Sequence, residues 1–437
     1  MVITAQTPVW PLEITVEQLL FILYPVCLIS ASILWYYDLK RRRARAEHPE
    51  GYMRLGIKGE SNLADEYDNR KYALGVDAQA EASGEPRWKV KALMIHPVKS
   101  CAPVELDASQ VEASGLTWDR KFAFAELLAP TTRVGASEEA RKPVWTFRTL
   151  RQPGYEKLAL VKPEVWVPDL QGDTKTTSSK SAPSQTSLLI LKYPNNPTGL
   201  LAPLDRFFIS LGFLPSTNSF QVPLIRPENH SYPSEGVVIW GDTRHWFNLG
   251  RHVPDDLKSF LGVSNPLALF HADPSSYREV FRNAPRKSEI GYQPRIGFAD
   301  AYPLHLLNLA SVRDVANKVN SDIPRFSARR FRPNILVTGP AAYDEDDWKR
   351  VRIGGHEFYC ACHTVRCRLP NVDPDSSERH PVEPDKTLKG FRCIDEGDPH
   401  NACLGLMLVP AKEEGAEIEV GMGVEVLERG KHVYIKR

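Results

Sequence analysis

The sequence shows no excess of either charge. Its 55 Lys and Arg face 54 Asp and Glu across 437 residues, a net charge of +1. A global basic field that would recruit nucleic acid is therefore absent. Cysteine is scarce as well, with seven in the whole chain. That is too few for a disulfide scaffold, and the odd count suits a reducing compartment. Missing too are a glycine fingerprint for dinucleotides, a C-x-x-C-H haem attachment and the paired C-x-x-C spacings of zinc ribbons. No internal repeat is found. Any redox chemistry must draw its electrons from another protein.

What is present is a body of ordinary composition. Apolar residues at 42% and charged residues at 25% fit a globular chain of roughly two to three domains. Proline, at 35 residues, lies above the usual ~5% and favours turns and extended segments over a helical bundle. One stretch departs from the average. Leu19 to Tyr37 carries no charged residue and, at ~1.5 Å per residue, would span roughly 28 Å as a helix. Trp35, Tyr36 and Tyr37 close it, and Lys40, Arg41, Arg42, Arg43 and Arg45 follow at once. A core helix, a cleaved signal peptide and an interfacial segment compete with an uncleaved anchor. The basic flank favours the anchor, and the positive-inside rule then keeps the body on the cytosolic side.

Beyond the anchor, 46–86 is polar and reads as a linker. Strand character is expected at 88–97, 121–125, 188–193, 334–337, 356–362 and 416–420, with 421–426 leading into a final strand at 432–435. Helices are expected at 201–211, 255–261 and 311–319. The segment 130–143 reads as a loop, and 172–187 as a low-complexity insertion. Strands divided by Gly and Pro turns, with few helices, predict a β-rich α+β body.

Two groups of residues carry chemistry. Cys360, Cys362 and Cys367 cluster beside His356 and His363 in YCACHTVRCRLPNVDPD. On a strand, Cys360 and Cys362 would share one face as small buried hydrophobes. Cys367 instead follows Arg366, and a neighbouring guanidinium favours the thiolate, so it is the candidate for a reactive or metal-binding sulfur. Cations at strand ends form the second group: Lys99 with Ser100, Arg120 in Trp-Asp-Arg, and Arg332 in Phe-Arg-Pro-Asn. An ammonium with a hydroxyl, or a bidentate guanidinium, can hold a phosphate.

In this order, IHPVKSC, WDRKFAF, RFRPNILVTG and TVRCRLPNVDPD resemble the MOSC superfamily, named for the C-terminal domain of molybdenum cofactor sulfurase, and its amidoxime-reducing branch. The resemblance runs from about Trp88 to Tyr434. It implies a MOSC β-barrel with a preceding β-barrel-like subdomain, a single N-terminal transmembrane helix, and a bound molybdenum cofactor (Mo-molybdopterin). It implies a tail at 1–18, an anchor at 19–37, a basic flank and linker at 38–87, an N-terminal barrel-like domain at 88–250 and a MOSC domain at 251–437. By the same resemblance Cys367 ligates molybdenum and is the catalytic residue. Lys99, Ser100, Arg120 and Arg332 hold the pterin phosphate and its surroundings, Arg366 flanks the metal thiolate, and the segment 149–152 lines the site. Where relatives place small hydroxyl residues, Asp300-Ala301-Tyr302 stands here, so contacts must come from backbone or Tyr302. The spacing from Cys362 to Cys367 is two residues longer than in animal relatives, and Ser376 replaces a frequent Gly.

The activity implied is reduction of N-hydroxylated compounds such as amidoximes, hydroxylamines or N-oxides. Cytochrome b5 and its NADH-dependent reductase would supply the electrons, at the mitochondrial outer membrane or the endoplasmic reticulum. The superfamily also carries an association with pyridoxal phosphate binding. Two other readings stand beside this one: a non-catalytic MOSC module carrying the cofactor or its sulfur, and a zinc-stabilised scaffold.

Overall fold

The computed structural model describes residues 16–44, 49, 51–72, 87–129, 142–169, 186–227, 232–319, 321–413 and 415–435. Most of the expected loop at 130–143 and of the insertion at 172–187 falls outside these residues. The chain divides into two compact units: 48–194 with 219–437, and 1–47 with 195–218.

The larger unit is β-rich with few helices, as expected. Eight strands form one sheet in the order Val424–Arg429, Trp348–Ile353, His356–Val365, Cys403–Pro410, Leu304–Asn308, Ile335–Thr338, Lys89–Ile95 and Val104–Leu106. Five others close a barrel: Ser234–Ile239, Asp242–Asn248, Leu267–His271, Phe122–Leu128 and Val144–Phe147. Strand pairing crosses residue 250 in both sheets. The strand Lys89–Ile95 shows why its sequence is almost continuously apolar. Leu93 and Ile95 enter the main core, while Ala92 and Met94 face a second cluster under the helix Leu309–Val319. A strand covered on both faces has no polar side to alternate with.

Topology gathers chain ends at one place. Leu304–Asn308 and Ile335–Thr338 run parallel, so their N-terminal ends coincide. Lys89–Ile95 pairs antiparallel with Ile335–Thr338, which brings its C-terminal end to the same side. Residues 300–302, 332–334 and 96–100 therefore converge.

Four expectations are corrected. Residues 51–72 are not a bare linker: Tyr52–Arg54 pairs with Lys162–Pro168, and Leu63 and Tyr72 are buried in the second cluster. The Glu66 carboxylate accepts from the Ser327 hydroxyl at 2.7 Å and the Ala328 amide at 2.8 Å. Cys360 and Cys362 do not share a face, because a bulge between them sends Cys360 to the main core and Cys362 to another cluster. The expected terminal strand at 432–435 is coil. Its segment instead serves as packing, with His432 Nε2 at 2.8 Å from the Trp348 carbonyl and the Tyr434 amide donating to Asp395 at 2.7 Å.

The transmembrane anchor is the fourth. A 29-residue helix, Val16–Ala44, does cover it. Yet among the described residues no helix is long and apolar enough to cross a membrane. Pro25 lies inside the helix.

Candidate functional site

The converging ends open onto a cavity of about 650 Å³ in the larger unit, within the range of a ligand or cofactor site. Seven cations line it (Lys99, Arg120, Arg151, Arg282, Arg330, Arg332 and Arg366) against two carboxylates, Asp300 and Asp398. All seven residues predicted for the site, Lys99, Ser100, Arg120, Tyr302, Arg332, Arg366 and Cys367, are on its wall. The charge imbalance suits an anionic ligand.

The backbone is strained here. Among the described residues eight non-glycine positions have positive φ, and Ser100, Arg120, Trp240, Arg282 and Arg332 of these line the cavity. Side chains seldom adopt this conformation unless the surroundings impose it, and such residues concentrate at functional sites.

The Lys99 ammonium is buried. It donates to the Phe298 carbonyl at 2.7 Å and pairs with Asp300, whose other oxygen meets Arg151 at 3.2 Å. Burial, partly offset by Asp300, brings Lys99 down to about 8. Burial alone would raise the Asp300 carboxyl, but Lys99 and Arg151 hold it well below the usual range. Ser100 Oγ accepts from the Leu150 amide at 3.2 Å, which ties the Lys-Ser turn to 149–152. Arg120 is oriented by Asp119, by Asn334 Oδ1 at 3.0 Å and by the Arg332 carbonyl at 3.3 Å.

Arg332 and Arg366 play opposite parts. The Arg366 guanidinium is consumed by the fold: it donates to the Leu404 carbonyl at 2.9 Å, the Phe331 carbonyl at 3.3 Å and His305 Nε2 at 2.6 Å. His305 is held neutral, since burial and then Arg366 push it well below its ordinary value. Its Nε2 therefore accepts from Arg366. Arg332 has no such commitments. Its Nη2 is buried without a hydrogen-bond partner, and burial followed by the Arg120 charge lowers it to about 10. Thr364 Oγ1 is buried and unpartnered in the same wall. The Tyr302 hydroxyl and Arg330 Nε are orphaned as well; buried donors are almost always satisfied, so four orphans among the lining residues of a cationic cavity point to a bound anion.

Cys367 is half-buried, two residues beyond the strand His356–Val365. The guanidinium that reaches its sulfur is that of Arg151, which also lies 4.5 Å from the centre of the Trp240 ring. Sequence reasoning gave Arg151 only a general lining role and missed Trp240, Arg282 and Asn334. Asn334 is fully buried and clamps the site, donating to the Met94 carbonyl at 3.1 Å and accepting from the His305 amide at 3.1 Å. Its place after Arg-Pro was the available signal. Tyr302 is buried with its hydroxyl beside Cys362, and Asp300 rather than Tyr302 meets Lys99.

The zinc alternative finds a different grouping. Among the described residues Cys360, Cys362 and Cys367 do not converge, whereas the ligand atoms of His363, Asp395 and Cys403 lie within 4.8 Å of one another. Both His363 nitrogens are already engaged, with Asp395 at 2.7 Å and the Asp346 carbonyl at 2.9 Å.

Two family models match parts of the chain. The MOSC domain family matches residues 293–425, and the MOSC N-terminal beta barrel domain family matches residues 87–135. Residues 293–425 thus form a MOSC domain. The chain is 25% identical over 332 residues to mitochondrial amidoxime-reducing component 1 of Mus musculus, covering 75% of this chain and 79% of that protein. The Homo sapiens protein of the same name is 25% identical over 311 residues, 71% of this chain and 73% of that one. Molybdenum cofactor sulfurase of Solanum lycopersicum is 22% identical over 333 residues, 74% of this chain but 34% of the sulfurase.

Behind the cavity, His96 is fully buried and falls to about 3, through burial and then the Arg332 charge. A base with a depressed value in the folded state stays neutral there, while the unfolded chain takes up a proton below about 6.5. Its stability contribution is thus complete above that pH and is lost on the way down. Between pH 7 and 4 this site alone should cost about 3 kcal/mol. Urea unfolding midpoints across that interval measure it, and a flat profile would rule it out.

Proposed function

We propose that this MOSC protein binds a molybdenum cofactor in the cavity and reduces N-hydroxylated compounds such as amidoximes, hydroxylamines or N-oxides. The observation that carries the reading is the convergence of Cys367 and the cations on one cavity where Arg332 Nη2 and Thr364 Oγ1 lack partners. These residues fit the group: Lys99, Ser100, Arg120 and Arg332 would hold its phosphate, and the soft Cys367 sulfur would ligate its metal. When bound, the cofactor supplies two-electron oxygen-atom transfer, so that an amidoxime, two electrons and two protons yield an amidine and water.

The chain's own residues set the stage for this. Arg151 turns its guanidinium to the Cys367 sulfur. Arg366 and Asn334 fix the backbone around them, and Asp119 aims Arg120. The chain carries no dinucleotide fingerprint and no haem attachment, and the amidoxime-reducing resemblance makes cytochrome b5 with its NADH-dependent reductase the electron source. A mitochondrial location belongs to the same reading, on the strength of the relatives' names.

The test is reduction of a model amidoxime by cofactor-loaded protein with those two donors. Turnover is expected. Loaded protein that holds molybdenum and turns nothing over would select the rival, a module carrying the cofactor or its sulfur, which the match to the tomato sulfurase favours.

Arg332→Ala tests the anion site itself. A charge-assisted hydrogen bond is worth about 1.5–3 kcal/mol, so cofactor retention should fall about ten- to a hundredfold. The thermal midpoint should hold, because a buried charge repelled by Arg120 is removed. Molybdenum per folded protein is the measurement, and unchanged content takes Arg332 out of the site.

A further inference from the structure

The smaller unit contains a helix built inside out. Between the strands Leu188–Pro194 and Thr217–Pro223 the chain makes an excursion of 22 residues, 195–216, whose centre is the helix Ala202–Ser210. Leu204 and Phe207, three apart, share one face of the helix, and Leu200 and Leu211 flank its two ends. That face is the outer one. Leu200 is wholly exposed, and Leu204, Phe207 and Leu211 are each at least 40% exposed, as is Phe213 beyond the helix. The inner side carries Asp205, only 3% exposed, next to the Tyr37 hydroxyl. A helix in water hides its apolar stripe and shows its carboxylates. This one does the reverse.

The neighbouring helix of the same unit exposes apolar side chains as well. The Tyr37 ring packs on Phe208 with centroids 4.6 Å apart, and Phe21, Leu28, Leu34 and Trp35 of Val16–Ala44 are more than half exposed. Apolar side chains exposed in this number on one unit mark an interaction site. Its chemistry decides between occupants. The helical stripe has no hydrogen-bonding group to specify a protein partner, and Arg206 beside it can extend its charge to a headgroup. Trp35 and Tyr36 stand where the apolar run ends, and Lys40, Arg41, Arg42, Arg43 and Arg45 come directly after them in the chain. Aromatic rings followed by clustered cations match the interface of an anionic lipid surface.

We propose that residues 199–214 form an interfacial lipid-binding element, lying in the headgroup boundary with Leu200, Leu204, Phe207, Leu211 and Phe213 turned to the acyl chains. It lies on the bilayer and does not span it. The proposal stands apart from the proposed reaction.

Amide hydrogen exchange of the full chain tests it, with and without phosphatidylcholine vesicles containing phosphatidylserine. Peptides from 199–214 should exchange about tenfold more slowly with vesicles, and the protection should be weaker on phosphatidylcholine alone. The triple variant Leu204→Ser, Phe207→Ser, Phe213→Ser should lose the protection of 199–214 while keeping its thermal midpoint, because these side chains make the outer face. Three results would overturn the proposal: unchanged exchange with vesicles, protection that persists in the variant, or protection that appears without vesicles as protein concentration rises. The last would mean that a second copy covers the stripe.

Discussion

Replacing Cys367 by Ser is expected to leave the protein folded and to abolish amidoxime reduction. Cys367 is half-buried on the cavity wall, so an oxygen of similar size should cost less than about 1 kcal/mol of stability. A serine hydroxyl is a harder donor than a thiolate and is not an anion at neutral pH. Losing a residue that merely orients a metal ligand costs about 10–100-fold in activity or affinity, so losing the ligand should cost about two orders of magnitude or more. Cys360→Ser and Cys362→Ser are the controls. Both residues are buried in apolar clusters, where an unpaired hydroxyl costs about 1–3 kcal/mol, and activity per folded molecule should survive. Turnover, molybdenum content and thermal midpoint separate the cases. Near-normal turnover in Cys367→Ser, or equal failure of all three through unfolding, removes the ligand role.

Asp119→Ala should be the most destabilising single change near the site, at about 3–5 kcal/mol. Asp119 is buried, accepts from the His96 amide at 2.7 Å and pairs with Arg120. Burial alone would raise its carboxyl, yet Arg120 and His96 bring it down to about 2. Its removal leaves a buried guanidinium without its carboxylate and an amide without its acceptor. Arg120 would then lose its aim at the cavity, so cofactor retention should fall with stability. Asp119→Asn keeps an acceptor for the amide and should cost less than the alanine variant. Urea unfolding gives both values, and a loss below about 1 kcal/mol for Asp119→Ala would show that water replaces the pair.

Much of the architecture could be read along the chain because it is local. The strand at 89–95 and the helix at 255–261 were both expected close to where they lie, since each is fixed by residues within it. The docking of 51–72 was not. Its polar composition hides the few residues that matter, and Glu66 finds Ser327 and Ala328 only across 261 and 262 positions of chain. The apolar run at 19–37 was legible as a helix. Its expected passage through a membrane rests on the uncharged run and its basic flank, and among the described residues no helix is long and apolar enough to cross one.

The site divides in the same way. Sequence alone determined which side chains supply the chemistry: a thiol at 367, an ammonium at 99, guanidiniums at 120, 332 and 366, and a near-neutral chain around them. These are covalent properties of residue types, and folding does not alter them. Tertiary structure decided which of these groups are free to act. Arg366 and Arg332 carry the same guanidinium, yet three carbonyl and imidazole acceptors engage the first while none reaches the Nη2 of the second. The reason is that hydrogen-bond partners come from strands distant in sequence, brought together by pairing that only the folded chain creates.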